Sequence, residues 1–136
     1  MPTVTVTRRV HFNAAHRLHN PDLSDEENRK LFGPCNNPNY HGHNYELDVS
    51  VEGEIDPVSG FVANLDEIKR LAEELVLAKL DHKNLNLDVP ELARTIPTAE
   101  NMVVLIWEML EGRLPGRLKK LVLWETPRNY VEYEGR

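Results

Sequence analysis

Two histidines separated by one glycine, His41 and His43, have the spacing in this sequence that most directly suggests chemistry. They begin a stretch in which apolar and polar residues alternate, the pattern of a β-strand with one buried face. Side chains two apart on a strand point the same way, so both imidazoles can converge on one ion. The alternative is that they are ordinary polar residues at the start of a strand.

A third histidine favours the metal hypothesis. His16 ends the segment TVTVTRRVHFNAAH, in which the apolar residues occupy the even positions that His16 shares. Three neutral imidazoles bind zinc and leave a fourth position open for water or substrate. We interpret His11, which has the opposite parity, and His19, which follows in a loop, as solvent-exposed or structural histidines.

Cys35 is the only cysteine and lies six residues before His41. Three roles are open to it. As a thiolate it could be the fourth ligand that closes a structural metal site, or it could be a small buried hydrophobe. It could also be a base or nucleophile beside an open metal, which would require its pKa to fall below the reference value of about 8.5.

Two acidic positions are further candidates. Asp81 adjoins His82 after a predicted helix, either as a surface dipeptide or as a proton relay in which the carboxylate raises the basicity of the imidazole. Glu125 shares the parity of Leu121 and Leu123, so its carboxylate should lie on the apolar face, where an unpaired charge is costly. A ligand with two parallel N–H groups would satisfy it, unless the strand has already emerged into water.

The elements that must position these residues follow from hydrophobic periodicity. Helical spacing predicts a short helix over 24–31 capped by Ser24, a helix over 65–78 capped by Asn64 or Asp66, and a helix over 98–111 capped by Thr98 and stopped by Gly112. Alternation predicts strands over 3–16 and from His41 to Val51, a short returning strand in EIDPVSGFV, and strands in LKKLVLWET and NYVEYE. This order predicts an α+β fold, an antiparallel sheet with two helices on one face.

Length and composition limit the classes of protein. We expect 136 residues to form a single domain, 1–136. A formal charge of −6 argues against a general nucleic-acid or membrane-surface binder. The sequence has no apolar run of transmembrane length and no secretory signal pattern, and one cysteine cannot form an internal disulfide. We therefore expect a cytoplasmic protein.

Five motifs together resemble one known family. FNAAHRL, CNNPNYHGHNY, LDHKNLN, PTAEN and WET occur in the order and approximate spacing of the 6-pyruvoyl-tetrahydropterin synthase family, over nearly the whole chain. The resemblance implies a zinc lyase acting on 7,8-dihydroneopterin triphosphate, with magnesium as a second candidate ion. It implies that zinc is held by the residues matching His16, His41 and His43.

The resemblance also implies roles for the other candidates. Cys35 matches the catalytic base, Asp81 and His82 match its partners in a proton relay, and Glu125 matches the residue that anchors the pterin ring. Thr98 and Glu100 fall in the segment that contacts substrate. Our own hypothesis, from their position near the metal motif in an acidic chain, is that Arg17 and Lys30 hold the triphosphate.

The implied assembly is the tunnelling fold. In that fold the sheets of three subunits close into a barrel, two trimers stack into a homohexamer, and the sites lie at subunit borders. Closure would remove the exposed sheet edges that a chain of this size must otherwise protect.

Two other functions remain open. A related branch releases acetaldehyde as well as triphosphate and makes 6-carboxy-tetrahydropterin for queuosine synthesis. That branch usually has three residues between its cysteine and His-Gly-His, whereas five separate Cys35 from His41, as in the pyruvoyl branch. Tyr40 stands where the pyruvoyl branch often has glycine. The second alternative is a non-enzymatic module with a structural zinc and Cys35 as the fourth ligand.

Overall fold

Five strands form one sheet, in the order β3-β1-β2-β4-β5, in a computed structural model that describes all 136 residues. The two longest strands pair antiparallel along their full lengths and bring His16 opposite His41. β4 pairs antiparallel with β2, and β5 with β4. The strands are β1 (Thr3–His16), β2 (His41–Glu54), β3 (Lys83–Asn84), β4 (Arg117–Thr126) and β5 (Asn129–Tyr133).

Four helices cover one face of the sheet or its loops. They are α1 (Asp25–Phe32), α2 (Leu65–Ala72), α3 (Ala78–Leu80) and α4 (Ala99–Leu110). A π-helical turn, Glu73–Leu77, joins α2 to α3, and short 3-10 segments lie at Gly33–Asn36 and Pro90–Leu92. The predicted caps Ser24, Asn64 and Thr98 each accept a hydrogen bond from the first turn that follows. None of the helices has both the length and the apolar character needed to cross a membrane.

The core lies between the sheet and the helices α2 and α4. Side chains that share the even positions of β1 and the odd positions of β2 and β4 pack against the inner faces of these helices. Residues with no exposed surface include Leu47, Ile68, Met102, Ile106 and Leu121. The predicted sheet with helices on one face is therefore confirmed. The sheet is mixed rather than wholly antiparallel, because β3 runs parallel to β1 beside Ala14 and Ala15.

The predicted strand in EIDPVSGFV is wrong. Residues 55–64 form a loop, closed where the amide of Asp56 donates to the carbonyl oxygen of Phe61 over 2.9 Å. β2 is already bordered by β1 on one side and by β4 on the other, so a hairpin partner would find no free edge. The extra strand is instead β3, which follows α3.

One sheet edge is only partly covered. β3 pairs with Ala14 and Ala15 alone, so the earlier part of β1 has no strand on its outer side. Its backbone amides and carbonyls there are free to pair with another chain.

Candidate metal centre and active site

The three histidines His16, His41 and His43 form one cluster at the end of the β1–β2 ladder. The register places His16 opposite His41 and Ala14 opposite His43, so all three rings project from the face that carries the core. Their ring centroids lie 4.7 to 5.0 Å apart. One nitrogen from each lies within 4.8 Å of the others, which fits a single metal ion. The predicted convergence is confirmed.

The hydrogen bonds of the cluster leave nitrogen lone pairs facing inward. His16 has no exposed surface, and its Nδ1 donates to the carbonyl oxygen of Pro97 over 2.8 Å, which fixes Nε2 as the unprotonated nitrogen. That Nε2 lies 3.1 Å from Nε2 of His41. Nε2 of His43 and Nδ1 of His41 are buried without a hydrogen-bond partner. Buried polar atoms are rarely left unpaired, and a bound metal would satisfy the inward-facing nitrogens.

Burial keeps the rings of His16 and His41 neutral, which is the form of imidazole that binds metal. Burial lowers the pKa of His16 from 6.5 to about 4, and the neighbouring imidazoles add to the effect. Burial also lowers the pKa of His41, as does His43 beside it. Both rings are therefore neutral at neutral pH, and neutral imidazole is a zinc ligand.

Cys35 sits on the 3-10 segment Gly33–Asn36, which a network of hydrogen bonds ties to the chain after His16. The amide of Leu18 donates to the carbonyl oxygen of Cys35 over 2.8 Å. The side chain of Asn36, only 5% exposed, donates back to the carbonyl oxygen of Leu18 over 2.8 Å. Nε of Arg17 donates to the carbonyl oxygen of Asn36 over 3.0 Å. His16 and the thiol are thus joined through one hydrogen-bonded segment. Sequence reasoning missed Asn36 because a buried asparagine has no periodic signal.

Glu125 borders the histidine cluster. Its Oε1 lies 4.0 Å from Nε2 of His43, and its side chain is 24% exposed. Burial raises the pKa of Cys35, and the charge of Glu125 raises it further, so the carboxylate acts on the thiol as well. A cavity of about 550 Å³ touches His43 and Glu125, but Arg9, Asn44, Glu46 and Trp124 in its lining belong to the opposite face of the sheet.

The four predicted substrate contacts lie in different surroundings. Thr98 follows Pro97 and accepts from the amide of Asn101 as the cap of α4, while Glu100 is exposed in the first turn of that helix. Arg17 uses Nε to brace Asn36, which leaves its terminal nitrogens. Lys30 is exposed and lies 3.7 Å from Glu26, so its position is the least tied to the cluster.

Asp81 and His82 do not contact Cys35 within one chain. Oδ1 of Asp81 accepts from the amide of Asn13 over 3.0 Å, and the amide of His82 donates to the Asn13 carbonyl oxygen over 2.7 Å. The two side chains meet at 3.0 Å. Burial acts to raise the pKa of Asp81, but the hydrogen bonds from Asn13 and His82 outweigh it and lower that pKa.

The His82 ring is 75% exposed and lines a cavity of about 460 Å³ together with Asn13, Asn44 and the cluster residue His43. Those two asparagines alternate with the histidine positions along β1 and β2, so they face the other side of the sheet. The pair is therefore built as an exposed carboxylate–imidazole unit near the partly covered edge of β1.

Tyr45 is a site neighbour that sequence reasoning placed only in the apolar face of β2. It has no exposed surface and stacks on Phe12 with ring centroids 4.8 Å apart. Its ring lies edgewise to those of His43, at 5.7 Å, and His16, at 6.4 Å. Its hydroxyl has no hydrogen-bond partner. The parity shared with His41 and His43 was the available signal that it underlies the cluster.

Comparisons with known proteins agree on one family. The family described as 6-pyruvoyl tetrahydropterin synthase matches residues 5–136. Human 6-pyruvoyl tetrahydrobiopterin synthase is 53% identical over 131 residues, which cover 96% of this chain and 90% of that one. The solved structure of Caenorhabditis elegans 6-pyruvoyl tetrahydropterin synthase superposes with a TM-score of 0.93 at 45% identity, covering 100% of this chain and 98% of that one. Dihydroneopterin monophosphate aldolase of Pyrococcus furiosus is 40% identical over 96 residues, 69% of this chain and 77% of that one.

Proposed function

The chain belongs to the 6-pyruvoyl tetrahydropterin synthase family and is a lyase, and we propose that it converts 7,8-dihydroneopterin triphosphate to 6-pyruvoyl-tetrahydropterin with elimination of triphosphate. We propose the cytoplasm as the compartment of this reaction. The observation that carries the proposal is the cluster of three histidine nitrogens within 4.8 Å, with the Nε2 of His43 buried and unpartnered. A thiol and a carboxylate act at the border of this cluster, and the proposed reaction needs both.

We propose zinc as the cofactor, held by His16, His41 and His43; magnesium, which prefers oxygen ligands, is a candidate only as an additional ion outside this site. Bound zinc would supply a Lewis acid that makes protons on hydroxyl-bearing carbons of the substrate easier to remove. The chain contributes the fixed tautomer of His16, because the Pro97 carbonyl oxygen holds the proton at Nδ1. An open fourth position is what separates this arrangement from a structural zinc site.

Cys35 is the proposed base. It would take a proton from a substrate carbon, and only the thiolate can do so. In the chain alone, burial and Glu125 raise the pKa of this thiol, so positive charge must lie nearby for it to ionise at neutral pH. The histidine cluster is the place where such charge would be held, which makes thiol ionisation depend on metal binding.

Glu125 is the proposed anchor of the pterin ring. Its two carboxylate oxygens can accept from two parallel N–H groups of an aminopyrimidine edge. Thr98, Glu100 and the terminal nitrogens of Arg17 are proposed to contact the rest of the substrate. Lys30 can reach the triphosphate only if its contact with Glu26 opens.

Asp81 and His82 are proposed to serve as the proton relay at the site of a neighbouring subunit in a homohexamer of two trimers. Two observations support this: the pair forms its hydrogen bonds with Asn13 and not with its own Cys35, and it lies near the stretch of β1 that has a free outer edge. The test is complementation between inactive variants. Mixing Cys35→Ala with His82→Ala subunits should restore part of the activity, whereas a relay within one chain predicts none.

The proposed reaction is tested by incubating the zinc-loaded protein with 7,8-dihydroneopterin triphosphate and identifying the products by mass spectrometry. 6-pyruvoyl-tetrahydropterin and free triphosphate, both lost in Cys35→Ala, are the expected result. Carboxy-tetrahydropterin with acetaldehyde would move the chain to the other branch. A hydroxymethyl pterin, together with a separate aldehyde fragment that still carries the phosphates, would indicate aldol cleavage. No turnover with zinc bound would favour a structural metal.

A further inference from the structure

The hydroxyl of Tyr45 is the one phenolic oxygen in the chain that is buried without a partner. A phenol loses hydrogen bonds to water when it is buried, and native proteins nearly always replace them. Phenylalanine would fill the same stacking position against Phe12 without that cost. An unpartnered hydroxyl at this place therefore points to a hydrogen bond made in another state of the site.

The register of β2 and β4 shows which acceptor lies within reach. Leu47 faces Leu123 and Glu46 faces Trp124, so the next pair of positions in this antiparallel ladder is Tyr45 and Glu125. Both point to the face that carries the histidines, and side chains directly opposite on one face start about 5 Å apart. The charge of Glu125 is felt at the Tyr45 hydroxyl, where burial first and then this carboxylate raise the pKa of the phenol.

Glu125 has two other potential donors nearby: Nε2 of His43, 4.0 Å from Oε1, and the thiol of Cys35, on which its charge acts. A His43 nitrogen engaged in metal binding carries no proton to share, and Cys35 carries none once it is the thiolate that the proposed reaction needs. The buried hydroxyl of Tyr45 is then the neighbouring donor on the same face.

We propose that Tyr45 is a positioning residue: in the metal-loaded site its hydroxyl donates a hydrogen bond to the Glu125 carboxylate and orients that carboxylate toward the pterin. This inference rests on the proposed function and adds to it a residue that sets the affinity for the pterin ring. A hydrogen bond to this half-buried carboxylate should lower the dissociation constant of the pterin roughly fivefold to tenfold.

The test measures binding of 7,8-dihydroneopterin, which has the ring but no triphosphate to eliminate, to the zinc-loaded protein by calorimetric titration. Four proteins are compared: the native chain, Tyr45→Phe, Glu125→Ala and the double variant. Tyr133→Phe is the matched control, since this tyrosine packs edgewise on Trp107 away from the cluster. Zinc affinity and melting temperature are measured for each, so that a change in pterin binding is separated from a loss of metal or of the folded state.

We expect Tyr45→Phe to weaken pterin binding fivefold to tenfold, and to have no further effect once Glu125 is alanine. Equal affinity in Tyr45→Phe and the native chain would overturn the inference, as would the same loss in both backgrounds, because then the hydroxyl does not act through Glu125. Equal pterin affinity of the native chain and Glu125→Ala would overturn the proposed pterin anchor and this inference with it. A native chain that does not bind the pterin would do the same. Loss on Glu125→Ala without loss on Tyr45→Phe would overturn only the inference.

Discussion

Nδ1 of His16 and the carbonyl oxygen of Pro97 form a buried hydrogen bond of 2.8 Å that joins the end of β1 to the start of α4. The bond fixes which nitrogen of His16 faces His41 and His43. It also places the segment carrying Thr98 and Glu100 beside the cluster. A residue of the histidine cluster and the segment proposed to contact substrate are thus held together before any ligand arrives.

Removing one imidazole should destroy the metal site without unfolding the chain. We expect His43→Gln to weaken zinc binding at least about a hundredfold, since losing even an outer-shell partner of a ligand typically costs 10 to 100-fold. Competition with a chromophoric chelator measures the affinity. His11→Gln is the control, because His11 is exposed on the opposite parity of β1. Equal loss in both variants would contradict the assigned site.

The free energy of unfolding of the metal-free protein should fall as pH is lowered from about 6.5 to about 4. Burial lowers the pKa of His16 from 6.5 to about 4. Between these values the unfolded chain binds a proton that the folded chain does not, so stability is present above 6.5 and is lost as pH falls toward 4. This difference in the pKa of His16 corresponds to a loss of at most ~3 kcal/mol in the free energy of unfolding. Urea denaturation with a chelator present, at pH 7 and 4.5, measures the change. His16→Gln should show a smaller dependence than the native chain, and an equal one would refute the assignment.

Replacing Glu125 by glutamine should make Cys35 more reactive in the metal-free protein. Burial is the larger cause of the raised thiol pKa, and the Glu125 charge is the second. Removing that charge lowers the pKa, so at pH 7.5 the rate of alkylation by iodoacetamide should rise a few-fold, in proportion to the thiolate fraction. Glu108→Gln, at an exposed position of α4, should leave the rate unchanged.

Iodoacetamide also distinguishes the two roles considered for Cys35 in the zinc-bound protein, a base beside the metal and a fourth metal ligand. If Cys35 is the base beside an open metal position, zinc should leave the thiol accessible and raise its reactivity. A thiol fully protected by zinc would instead support a closed structural site.

Tyr40 should be a position where glycine stabilises the fold. Its φ of +68° lies in the left-handed region, one residue before the metal ligand His41. That conformation costs a non-glycine residue ~1–2 kcal/mol, and glycine loses ~0.5–1 kcal/mol in chain entropy. We expect Tyr40→Gly to raise the free energy of unfolding by ~0.5–1 kcal/mol in urea titrations. Tyr40→Ala keeps the strain, so an equal gain there would show that the side chain, not the backbone, was responsible.

Periodicity was sufficient to predict most of the fold and the centre of the site. The two-residue period placed His16, His41 and His43 on one face, and antiparallel pairing of β1 with β2 then brings them together. The caps at Ser24, Asn64 and Thr98 followed from local hydrogen bonding that a helix start requires. These features depend on residues close in sequence or on a single strand pair.

Features set by tertiary packing were not predictable. β3 is two residues long and forms only because α3 delivers it to the edge of β1, and nothing in Lys83 or Asn84 signals a strand. The Pro97 carbonyl and the Asn36 amide are ordinary backbone and polar groups until the fold brings them beside His16 and Cys35. The contact of Asp81 and His82 with Asn13, and not with Cys35, depends on how the chain crosses the sheet edge, which no local pattern records.

The π-helical turn Glu73–Leu77 has a consequence for that contact. An α-helix advances about 100° per residue, and a π-turn holds one extra residue without unwinding the helix. Shortening the turn by one residue would rotate α3 and the residues after it by about 100°, so Asp81 would no longer meet the amide of Asn13. The direction of the Asp81–His82 pair is therefore determined by the number of residues in the helical turn just before it, so helix length sets where this carboxylate and imidazole point.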